Sequence, residues 1–265
     1  REHVTVVLSG EGSDEIFAGY DWYRDTPQMQ KYKHLPRGIR IAAASVARHL
    51  PYFKGHDFII RSSGRPEDYF IGQAMVYSER EAPSYLASDY RIGRTPREIT
   101  ADIYKNVASA DELTKKQYLD MKLWLPGDIL LKADKMSMAH SLELRVPFLD
   151  RRVMELAERI PAGYRIKDGI TKYVLRQAAN RTIPDDWANR PKVGFPVPIR
   201  YWFRDERYYK YARDYFTSPE ARRFFDSDAL VRLLDEHKKG SANNGRKIWT
   251  ALVFLVWYEQ FFLRS

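Results

Sequence analysis

Cysteine is absent from all 265 residues. That excludes a disulfide scaffold, a thiolate nucleophile and a cysteine-based zinc site, and it fits a cytoplasmic protein. Histidine is sparse. His3, His34, His49, His56, His140 and His237 show no metal-ligand spacing, so each reads as a surface or core residue. The serines have no evident His/Asp partners, which argues against a hydrolase triad. Long apolar runs are missing as well. The longest, residues 248–258, is too short to span a bilayer and reads as a buried, aromatic-rich helix. No basic segment followed by an apolar core opens the chain, so neither a secretory signal nor membrane attachment is expected. Repeats and low-complexity segments are also lacking.

What is present describes a globular protein. Hydrophobic residues make up 44% and charged residues 30%, and the length suits one large domain or two small ones. The net charge of +9 could serve nucleic acid, a membrane surface or small anionic substrates. Lys and Arg are spread along the chain, and no basic stripe interleaves with the aromatics. That pattern favours a solvated surface over a nucleic-acid patch. A nucleic-acid-binding module remains the reading from another class, with salt-dependent RNA binding as its signature.

The most informative stretch is residues 4–20, VTVVLSGEGSDEIFAGY. A β-branched, non-alternating run stops at Ser9, as in a strand buried on both faces of a parallel sheet. A loop with two glycines follows, and then an acidic helix start at Ser13-Asp14-Glu15. Ligands of open α/β sheets sit at the carboxyl ends of strands. Loop N–H groups there suit an anion. Glu11, Asp14 and Glu15 would repel a bare phosphate, which calls for an intervening cation such as magnesium. The plainer reading has Asp14 and Glu15 complementing the helix dipole. No second convincing run of this kind follows, so partner strands are expected upstream of Arg1, in a longer protein.

Downstream the pattern is helical. Helices are expected over residues 36–48, 55–63, 65–77, 96–108, 111–125, 128–140, 151–159, 172–180, 201–216, 219–225 and 227–239. Pro126-Gly127 reads as a break. Asp150 and Thr171 read as helix caps, and Ser78 with Glu81 as a capping box. Residues 141–150 are too short and proline-interrupted for a long helix. Residues 190–198 carry three prolines and a glycine, which forbids regular structure. Residues 240–246 read as a mobile polar loop.

Three loops could carry chemistry: residues 9–15, residues 132–145 and residues 190–195. Lys192 sits on a proline-stiffened loop, poorly placed to pack and well placed to reach a ligand. A cation over developing phosphate charge is what nucleotidyl transfer needs. The structural alternatives stand beside these: an exposed loop lysine for Lys192, and an ion pair for Glu143 and Arg145.

Four stretches in series resemble the synthetase domain of the glutamine-dependent asparagine synthetase family, class B type. They are LSGEGSDEIFAGY (8–20), LLKADKMSMAHSLELRVPFLD (130–150), KYVLRQA (172–178) and RPKVGFPVP (190–198). The resemblance covers nearly the whole chain. It implies an α/β domain of the PP-loop ATP-pyrophosphatase type (adenine nucleotide α-hydrolase-like), of which residues 1–265 would be the mostly helical C-terminal part. It further implies ATP and magnesium as cofactors, and adenylation of the aspartate side-chain carboxylate. Ammonia from an amino-terminal glutaminase domain would then displace AMP. Carried onto this chain, Ser9 and Gly10 would contact the nucleotide. Glu11 would lie beside the aspartyl-adenylate and act at its formation or in ammonia attack. Asp14 would hold magnesium with pyrophosphate, and Lys192 would neutralise phosphate charge. Lys132 and Arg145 would be phosphate or substrate contacts, or structural residues. The family's Ser-Gly-Gly-x-Asp-Ser loop and the glutaminase cysteine are not in this sequence, so this stretch by itself is expected to be inactive. A homodimer is left open. Related members acting on other carboxylates, in peptide, β-lactam or surface-polysaccharide chemistry, are the alternative within the enzymes. A non-catalytic scaffold is the third, and intact Glu11, Asp14 and Lys192 argue against it. The expectation to test is convergence: Asp14 and Lys192 should meet.

Overall fold

The computed structural model describes residues 2–51, 53–73, 75–194 and 197–264. Phe195 and Pro196 of the fourth motif lie outside the described residues. Two compact units form, residues 1–74 with 97–192, and residues 75–96 with 193–265. Both are mostly helical, and the described residues contain one two-stranded sheet.

In the first unit, β1 (Val6–Leu8) pairs in parallel with β2 (Glu143–Arg145), Val7 opposite Leu144. The partner strand therefore lies downstream, in the segment too short for a helix. The connection between the strands is long and helical, as a parallel crossover requires. The expected burial of β1 is not found. Leu8 is 73% exposed, and among the described residues β1 has no neighbour other than β2.

The strand feeds α1 (Ser13–Ile16) through Gly12, whose φ of 85° is left-handed. A Cβ there would stand 2.3 Å from Leu149 Cδ2, so both the conformation and the space demand glycine. Ile16 and Phe17 pack with Ala157, and the Phe148 ring meets Phe17 edge-on at 6.2 Å. Ala18, Tyr23, Phe70, Tyr104 and Leu119 form a second buried cluster. These contacts seat α1 against the helices Glu112–Lys122 and Arg151–Glu158.

Capping decides several boundaries. Asp111 accepts from the Leu113 and Thr114 N–H groups, and Asp150 accepts from Arg152 N–H at 2.9 Å. Ser78 and Glu81 bond reciprocally, but only a short 3₁₀ turn, Ala82–Ser84, follows. Thr171 is not a cap. Lys172 holds that position before the helix Tyr173–Ala179, in a left-handed conformation with φ of 52°. Of the helix expected over residues 65–77, the described residues form only the 3₁₀ turn Pro66–Asp68. Pro126-Gly127 does not break the chain direction. It lies in a π-helical turn, Leu125–Leu130, that runs into the helix Leu131–Met138.

The second unit is built on the helices Glu206–Phe216, Ser227–Lys239 and Gly245–Tyr258. Phe216, Leu230, Leu234, Ile248 and Leu255 are fully buried between them. The span 201–216 divides at Asp205, which caps the second piece through Arg207 N–H at 2.9 Å. The polar loop after Gly240 is tied down rather than free. Asn244 N–H donates to His237 Nδ1 at 3.0 Å, and its side chain donates to Leu233 O. With Nδ1 accepting, His237 Nε2–H donates to the Arg200 carbonyl at 3.0 Å. Burial lowers this imidazole's pKa, in keeping with a neutral core histidine. Among the described residues no helix is long and apolar enough to cross a membrane.

Candidate active site

The site grows from the first turn of α1. Asp14 is a mostly buried carboxylate set between two lysines. Lys192 Nζ donates to Asp14 Oδ2 at 2.7 Å. Lys172 Nζ lies 2.9 Å from Oδ1 and donates to Ser13 Oγ at 2.9 Å. The expected meeting of Asp14 and Lys192 is therefore observed, across 178 residues of sequence. The two ammonium groups offset Asp14 and part of the acidic charge of its neighbours Glu11 and Glu15, so an anion at the glycine loop meets lysines as well as carboxylates. Burial depresses the Lys172 pKa, opposed by the attraction of Asp14.

Gly19 makes this arrangement sterically feasible. A Cβ at that position would stand 1.9 Å from Asp14 Oδ1 and 2.2 Å from Lys172 Cε. The chain folds back there through Gly19 N–H to Asp14 O at 2.7 Å. Gly10 differs. Nothing lies within 4 Å of a Cβ placed on it, so the protein's own packing does not require glycine there. An open backbone face is what a closely approaching ligand needs.

The turn is anchored from below. Glu15 is buried, and Tyr20 donates its hydroxyl to Glu15 Oε1 at 2.6 Å. Desolvation raises the Glu15 pKa. Gln117 Nε2 donates to the Glu15 carbonyl at 2.5 Å, and Arg165 donates to Gln117 Oε1 and to Thr114 Oγ1. Tyr20 stacks on Trp22 with centroids 4.0 Å apart and lies 5.6 Å from the Lys192 ammonium. The Tyr20 ring thus supports Lys192 from one side while its hydroxyl is held by Glu15.

The remaining expected residues divide. Ser9 N–H donates to Arg145 O at 2.8 Å, so the β1–β2 pairing brings those two backbones together. The Arg145 side chain is exposed and pairs with Glu143 at 2.8 Å, as the structural alternative had it. Glu11 is half-buried, and its backbone N–H donates to Ser9 Oγ at 3.4 Å. Lys132 is exposed, 3.8 Å from Asp128 one helical turn away, and no described contact joins it to the Asp14 cluster. Lys172, Gly19 and Tyr20 are the members that residue-by-residue reading did not single out. All three sit inside the quoted motifs, and Lys172 follows a threonine that looked like a cap.

The donor set limits what cation this turn could hold. Among the described residues no group of three His, Cys, Asp or Glu converges. Both Asp14 oxygens face lysines. A resident, protein-caged metal does not fit. Magnesium arriving on phosphates does, because it needs only one or two carboxylates and completes its shell with phosphate and water.

Comparison with known proteins agrees with this geometry. The asparagine synthase family model matches residues 1–259. The glutamine-hydrolyzing asparagine synthetase 1 of Bacillus subtilis (strain 168) is 39% identical over 260 residues, covering 98% of this chain and 41% of that protein. A putative glutamine-hydrolyzing asparagine synthetase of Mycobacterium bovis is 41% identical over 262 residues, covering 98% of this chain and 40% of that protein. The amidase chry2 of Gibberella zeae is 26% identical over 225 residues, 75% of this chain and 33% of that protein. The chain thus spans about two fifths of the first two curated relatives. With a match across almost its whole length and the acidic turn clasped by two lysines, the chain belongs to the asparagine synthase family.

Proposed function

We propose that the full-length protein forms asparagine from aspartate, ATP and ammonia released from glutamine. The aspartate side-chain carboxylate attacks the α-phosphorus of ATP, giving β-aspartyl-AMP and expelling pyrophosphate. Ammonia then attacks the acyl carbon, AMP leaves, and one proton is given up to a base. The observation that carries this reading is the 2.7 Å contact of Lys192 with Asp14 at the carboxyl end of β1. A cation paired with a carboxylate there supports the reading, because leaving-group charge must be neutralised.

In this reading Lys192 and Lys172 face the pyrophosphate, and Ser9 and Gly10 contact the nucleotide. Asp14 would share magnesium with the phosphates, and the metal would offset charge on the departing group. Lys192 would then exchange Asp14 for phosphate oxygens. Glu11, which has no ion pair among the described residues, would orient ammonia or take its proton. Arg145, beside Ser9, and Lys132 would lie on the phosphate or substrate side. We read the chain as part of a PP-loop type domain; the edge of β1 left unpaired among the described residues and the exposed Leu8 leave room for a further strand.

The test is aspartate-dependent AMP and pyrophosphate release by the full-length protein, over a panel of carboxylates, with Glu11→Gln and Lys192→Met. Aspartate should be preferred, and each variant should lose about 100-fold or more in kcat, in line with removing one charge-stabilising group. Preference for another carboxylate, or near-normal turnover in Lys192→Met, overturns the reading.

A further inference from the structure

We propose that Arg176 is the positioning residue that sets both lysines on Asp14, an inference that rests on the nucleotide-handling reading of the site. Its guanidinium bonds to three backbone carbonyls on the two lysine-bearing segments. Nε donates to Thr171 O at 3.0 Å, immediately before Lys172. Nη1 donates to Ala188 O at 3.1 Å and to Arg190 O at 3.0 Å, just before the Pro191-Lys192 step.

Two of the bonds, at Thr171 and Arg190, act where the backbone is least able to hold itself. Lys172 has a left-handed φ of 52°, which costs a non-glycine residue energy and must be held by its surroundings. The carbonyl before it is fixed by Arg176. On the other segment, Pro191 has no N–H and a fixed φ. A carbonyl held at Arg190 together with the fixed φ of Pro191 narrows the backbone directions open to Lys192. From there its ammonium meets Asp14 and sits over the Tyr20 ring. A planar fork with five donors can bind carbonyls on two segments at once, whereas a lysine ammonium at this distance cannot reach the same set. Among the described residues no contact joins the Arg176 side chain to Asp14, Ser9 or Gly10, so it acts through the lysines.

The alternative is a staple that only stabilises the fold. Two readouts separate them in the full-length protein. The first is the rate at which Lys192 and Lys172 react with an amine-labelling reagent, read by mass spectrometry of the corresponding peptides. Arg176→Gln should raise Lys192 labelling at least fivefold while a distant lysine, Lys105, is unchanged. This readout needs no catalysis, so it stands even if the proposed reaction is wrong. The second is a double-mutant cycle on aspartate- and ATP-dependent pyrophosphate release. Arg176→Gln should lower kcat at least tenfold with little change in KM for aspartate. In a Lys192→Met background it should cost clearly less than it does alone, the remaining loss being the part that acts through Lys172. Arg176→Lys should recover part of the loss and serves in place of Arg176→Gln should that variant fail to fold. Unchanged Lys192 labelling, or losses that multiply in the double variant, overturns the positioning role.

Discussion

Gly19→Ala isolates the Asp14–Lys172 contact without removing either charged group. The backbone at Gly19 is not left-handed, so alanine brings no conformational strain. Elsewhere such a change would stabilise by about 0.4–1 kcal/mol through the unfolded chain. Here the new methyl would stand 1.9 Å from Asp14 Oδ1 and 2.2 Å from Lys172 Cε, where ordinary contact begins near 3.4 Å. The carboxylate and the lysine stem must each move by more than an ångström, and the ion pair opens. Asp14 keeps Lys192, and its side chain and that of Lys172 keep 15% and 19% exposure, so the loss falls below that of a fully buried pair. With the hydrogen bond to Ser13 also disturbed, a net destabilisation of about 1–2 kcal/mol is expected. That corresponds to a fall of roughly 2–8 °C in the unfolding midpoint for a chain of this size. The assay is thermal unfolding by circular dichroism, with Gly10→Ala as control. No atom lies near a Cβ at Gly10, so that variant should unfold within about 0.5 kcal/mol of the parent. If the nucleotide approaches that face, Gly10→Ala should still weaken ATP binding at least tenfold. Gly19→Ala unfolding like the parent would refute the claim that this missing side chain makes room for the pair.

Two further outcomes test the supporting structure. Asp120 is fully buried, accepts from the Tyr23 hydroxyl at 2.6 Å, and has its pKa raised to about 6 by desolvation. A raised folded-state pKa adds stability below the ordinary carboxylate value of about 4, and this is lost as pH rises through about 6. Relative to Asp120→Asn, which cannot ionise, the parent should lose up to about 3 kcal/mol between pH 4 and pH 7.5 in urea unfolding. A pH-independent difference would refute the buried-acid assignment. In the second unit, Leu234→Ala empties a fully buried position and should cost about 2–5 kcal/mol. A cost under 1 kcal/mol would show that this core can collapse around the gap.

Local chemistry was legible wherever the deciding interaction is local. The strand, glycine turn and acidic helix start of residues 4–20 are all present, because backbone stiffness and glycine placement act within a few residues. Asp150 caps as expected because its partner is two residues away. Thr171 failed as a cap for a reason that is not local: Lys172 takes the cap position, turned left-handed, with its ammonium on Asp14. The β1 run looked doubly buried because β-branched residues report what a strand tolerates, not what covers it. Its observed partner was hidden in three residues, Glu143–Arg145, too few to show a pattern. Lys132 was expected at the site from its company in sequence, and its ion-pair partner among the described residues, Asp128, lies on its own helical face.

The order of residues alone determined the helical character of the chain, the acidic turn after the first strand, the proline-stiffened lysine loop and the family resemblance. Each depends on spacing or on motif wording. Only the tertiary structure decided that Asp14 is shared by Lys172 and Lys192, that Gly19 clears the space between them, and that Glu15 and Tyr20 support the turn. The two lysine contacts join segments more than 150 residues apart. Charge and shape complementarity at such separations arises only when packing of α1 against its neighbouring helices has fixed the distances.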